Sequence, residues 1–234
     1  MALDFSNPWY PYARPDPGAL RYRGISQIPG KIIRYLLDLP DANGYVPLDD
    51  NERPRVRLMK LLWHDGARPL EKPLPTPEQK LSLLWTGDLP APNTDELKTK
   101  HPKGYRIFSQ SFWLPADFKA GSFLKVYEGR ILPYSKYQAE IGINFELGVN
   151  YAQDSNMKTT AYSRVTQMEE SLLDALHMVN IDGVGGMNFD RREHMDDGSH
   201  PWHDDGTNLG RTLTLSITWA ESNGAGPVTE GCGC

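Results

Sequence analysis

The densest chemistry in this chain lies in one short stretch, His194-Met195-Asp196-Asp197-Gly198-Ser199-His200-Pro201-Trp202-His203-Asp204-Asp205, which holds three histidines and four aspartates. Imidazole and carboxylate suit zinc, iron or manganese, and His200 with His203 and Asp205 could chelate one ion from a loop. The histidine spacings of six and three match neither the helical His-Glu-x-x-His pattern nor a facial triad with a remote third ligand. Gly198 and Pro201 interrupt the stretch, and Asp, Gly and Ser recur in turns for their own backbone reasons. The segment therefore reads better as a solvated connection between two strands than as a metal centre. His194, His200, Trp202 and His203 become candidates for contact with a neighbouring protein. No metal ion and no cofactor is expected.

Other catalytic signatures do not occur in the sequence. There is no P-loop, no Gly-x-Ser-x-Gly and no Rossmann fingerprint; Gly183, Gly185 and Gly186 have the wrong spacing and precede a strand. His64 and Asp65 beside Gly66 read as a turn. Arg53, Arg55, Arg57 and Lys60 alternate with apolar residues, which predicts a solvated or partner-facing edge. With 25 basic and 30 acidic side chains the formal net charge is −5, so no global basic surface exists for phosphate neutralisation. No apolar run reaches the length of a membrane-crossing helix, and the first residues lack the basic-then-apolar order of a signal peptide. A chain made and kept in a cytoplasm is the expectation.

Both cysteines, Cys232 and Cys234, lie in a Gly-, Ser- and Thr-rich tail. A bridge within Cys-Gly-Cys would be strained, and two thiols on a tip lack a second ligand pair for zinc. An intermolecular disulfide with a neighbouring subunit is one use; a chemically idle tail is the other.

The elements that must position these residues can be read from periodicity. Residues 1–24 mix Pro8, Pro11, Pro15 and Pro17 with Trp9, Tyr10, Tyr12 and Arg14, which favours an extended arm whose aromatic residues are candidates for docking. Residues 25–104 read as a helical, loop-rich extension. Ile25, Ile28, Ile32, Ile33, Leu36 and Leu37 recur at helical spacing, with Ser26 as the expected N-cap. Val56, Met59, Leu62 and Trp63 fit a helix or a strand. Thr76-Pro77-Glu78-Gln79 carries the chemistry of a capping box and predicts a short helix. Residues 87–104 predict a surface loop.

Beyond Gly104 strand signals dominate, in residues 105–112 and 123–131. The clearest is residues 139–151: Ala139, Ile141, Ile143, Phe145, Leu147, Val149 and Tyr151 alternate with polar or small residues. Its length predicts that part of it projects beyond the domain. Val165, Met168, Leu172, Leu173, Leu176 and Val179 then form a helical stripe, and strands follow at residues 184–189 and 213–219. The whole predicts an α+β fold over residues 105–220, an antiparallel sheet with a helix packed on one face, followed by a flexible tail at 221–234.

This order of a long alternating strand, a helix in AYSRVTQMEESLLDALHMVNI, a strand at VGGMNFDRR and a closing strand beginning GRTLTLSITW resembles the tail-terminator and tail-completion proteins of tailed bacteriophages. The resemblance covers about the last hundred residues before the tail. It implies a structural virion protein rather than an enzyme. Such a subunit forms a ring, usually of six copies, that caps the tail tube and joins it to the head connector at the neck. Its partners would be copies of itself and tube, sheath or connector proteins, with DNA passing the bore unbound and no membrane involved. The alternatives are another neck connector or stopper, and a metal-dependent enzyme using residues 194–205.

Overall fold

The computed structural model describes residues 22, 24–40, 48–85, 104–109, 121–135, 138–151, 163–189, 198–203 and 208–220. Among these, four α-helices accompany a mixed eight-stranded sheet, which makes the fold α+β. Trp9, Tyr10, Tyr12, His194, Asp205, Cys232 and Cys234 lie outside the described residues, as do all but the last residue of the predicted loop at 87–104 and residues 110–112 of the predicted strand at 105–112.

The first helix, α1 (Ile28–Leu37), buries Ile28, Ile32, Ile33, Leu36 and Leu37 on one stripe. Its start differs from the expectation at Ser26. A single 3-10 turn over Ile25–Gln27 leads in, and Gln27 occupies the N-cap without a side-chain bond. The undecided segment is a helix, α2 (Pro54–Trp63), opened by Pro54 in its first turn, where the missing N–H is harmless. The capping box forms as the sequence predicts: Thr76 Oγ1 accepts from the Gln79 N–H and Gln79 Oε1 from the Thr76 N–H, which starts α3 (Pro77–Ser82). The last helix, α4 (Arg164–Leu176), begins where Ser163 accepts a bond from the Thr166 N–H.

The strands are β1 (Leu84–Trp85), β2 (Ile107–Phe108), β3 (Ser122–Pro133), β4 (Gln138–Asn150), β5 (Asn180–Ile181), β6 (Gly185–Asn188), β7 (Gly198–His203) and β8 (Asn208–Ala220). Their order is β1-β2-β3-β4-β8-β6-β5, with β1, β2 and β3 parallel and the rest antiparallel. The outer edge of β8 is shared: β7 pairs along residues 209–214 and β6 along 216–217. β4 is central and is paired on both sides, with β8 from Gln138 to Asn150 and with β3 from Ala139 to Val149. Its length is thus matched by two neighbours, β3 of 12 and β8 of 13 residues, so β4 does not extend alone beyond the sheet. A shift in the β3 ladder between Glu128 and Ile131 marks a bulge, beyond which Ile131 and Tyr134 are exposed.

Odd-numbered residues of β4 and β8 join the apolar stripes of α1, α2 and α4 in one continuous core. The helices of residues 25–85 therefore share the core of the sheet. The even-numbered side of the sheet is not uniformly polar. Near one end it carries a second, aromatic cluster of Phe108 and Phe123, with Trp85, Tyr105 and Trp202 against them.

Candidate functional site

The residues expected to lie in a solvated loop, His200, Trp202 and His203, stand instead on β7. Pro201 is compatible with this because β7 is an edge strand among the described residues, where a nitrogen without hydrogen can face away from the ladder. Successive side chains of a strand point to opposite faces, so His200 and His203, three apart, cannot converge on one ion. Among the described residues no group of three or more His, Cys, Asp or Glu side chains is placed to hold a metal.

What β7 does bring together is aromatic. One cross-strand row runs Phe123, Gly148, Gly210, Trp202 over β3, β4, β8 and β7. The two glycines leave room above the central strands, and the rings of Phe123 and Trp202 approach to 6.0 Å between centroids. The next row is polar and runs Lys125, Glu146, Thr212, His200. Lys125 Nζ and Glu146 Oε1 pair at 2.8 Å, and the same ammonium lies 5.6 Å from the Phe123 ring centre. His200 closes this row as an exposed side chain.

Besides Lys125, four cations are buried among the described residues: Lys60, Lys80, Arg106 and Arg164. Arg164 is fully buried and donates to the carbonyls of Leu61, His64 and Gly66 and to Ser122 Oγ. Arg106 donates to the Leu62 carbonyl and holds both carboxylate oxygens of Asp65, at 2.8 and 2.9 Å. Two guanidinium groups thus meet the carbonyls at the end of α2, where the helix dipole favours positive charge. Asp65, expected in a simple turn, is one of their partners. Lys60, expected on a solvated or partner-facing edge, is also buried. Its ammonium binds Asn51 Oδ1, the Leu70 carbonyl and the Asp49 carboxylate. Lys80 donates to the Asp38 carbonyl at 3.1 Å, and burial holds its pKa below the ordinary lysine value.

A cleft of about 400 Å³ opens where α1 ends, α2 begins and α4 ends. Pro54, Ala175 and Val179 form its apolar lining, while Asp38, Arg53, Arg55 and Asp174 charge it with both signs. Arg55 is committed there: it pairs with Asp38 at 2.9 Å, donates to the Tyr35 carbonyl and lies 4.5 Å over the Tyr35 ring.

The buried arginines and this cleft escaped the sequence reading. A faint signal existed for Arg164, because an arginine at the first position of a helix opposes the dipole and invites a structural explanation. Gly148 and Gly210, lone glycines inside otherwise regular strands, signalled a close approach of neighbouring groups.

These features define an α+β protein in which Arg106, Arg164, Lys60 and Lys80 donate to backbone carbonyls of the same chain. No protein-family model matches the chain, and no curated protein matches its sequence.

Proposed function

We propose that this chain is a structural subunit of a tailed-phage virion, a tail-terminator-like protein that assembles as a ring, of six copies in the usual case, at the head-tail junction. The observation that carries the reading is the architecture of the core. Two 13-residue strands, β4 and β8, pair along their whole length, and the chain between them supplies α4, the short β5–β6 hairpin and edge strand β7. Long strand, helix, shorter strand and closing strand follow the order on which the resemblance rests, with β7 as an addition to it. The charge chemistry is consistent with a scaffold, because Arg106, Arg164 and Lys80 bind carbonyls at the ends of α2 and α1 and Lys60 binds the Leu70 carbonyl. The opposite facing of His200 and His203 favours a scaffold over the metal-dependent alternative.

Imaging of particles assembled without this protein tests the proposal. Tails of irregular length, or tails detached from heads, are the expected result. Normal tails would sink the terminator reading and leave an adjacent connector as the remaining neck role. Non-reducing electrophoresis of virions tests the tail cysteines: a crosslinked species should vanish when Cys232 and Cys234 are both replaced by serine.

A further inference from the structure

We draw no further inference here: the strongest candidate, the outer edge of β3 beyond Lys125, where Ile131 stands exposed and no strand pairs among the described residues, carries nothing because nothing in the structure shows what covers it.

Discussion

The rings of Phe123 and Trp202 lie 6.0 Å apart between centroids, although the two central strands β4 and β8 separate the strands that carry them. The approach is possible because the residues between them are Gly148 and Gly210, which pair with each other in register. A Cβ at Gly148 would overlap the Phe123 ring, and one at Gly210 would overlap both the Trp202 indole and the Leu147 carbonyl. Edge strand β7 is thus pinned to the sheet by an aromatic contact that two missing side chains permit.

Replacing either glycine by alanine should therefore destabilise the fold, by about 1 to 3 kcal/mol for an overpacked site. Gly210→Ala should cost more than Gly148→Ala, because backbone as well as a ring stands in its way. Urea unfolding followed by tryptophan fluorescence measures both. Alanine at Gly210 with no loss of stability would contradict the geometry.

Arg164→Met leaves three backbone carbonyls and a hydroxyl without their donor in the interior. The expected loss is on the order of 3 to 5 kcal/mol, the range for breaking a buried charged network. Arg164→Lys should rescue little, since one ammonium cannot reproduce a planar fork that spans separate acceptors. Chemical denaturation of the three proteins checks the order, and a lysine variant as stable as the parent would contradict the role of the fork.

Two groups predict opposite ends of the pH profile. The bond from Lys60 holds the Asp49 carboxyl below its ordinary 3.8, so its contribution is present above that value and lost as pH falls through the lower folded pKa. Asp49→Asn should flatten the acid limb, modestly, because the side chain is 44% exposed. Burial lowers Lys80 from 10.5, so the folded state holds fewer protons than the unfolded state, and stability rises as pH climbs toward 10.5. Lys80→Met should remove that alkaline rise. Thermal midpoints measured across pH decide both.

Thr76→Ala removes the oxygen that accepts the Gln79 N–H and should cost about 1 kcal/mol, the usual worth of an N-cap. Thr76→Ser keeps the acceptor and should cost less. Equal losses would assign Thr76 a packing role instead.

Local chemistry made several elements readable in advance. Strict alternation over residues 139–151 placed β4, although Tyr151 falls beyond its end at Asn150 and is exposed; the threonine and glutamine spacing placed the α3 cap, and the apolar stripes placed α1 and α4, because each depends only on neighbours along the chain. The α+β class followed from their order. The sequence did not reveal partners distant along the chain. Arg164 meets carbonyls about a hundred residues earlier, so a residue that looks outward-facing by type is among the most buried. β7 was read as a loop because Gly198 and Pro201 break strands locally, whereas the free edge of β8 supplied a ladder that overrides that preference. Amino-acid order alone determined where backbone periodicity and caps begin and end. Tertiary structure decided which charges are buried, where the two histidines face and which surface carries the cleft, since desolvation and cross-strand register exist only once distant segments meet.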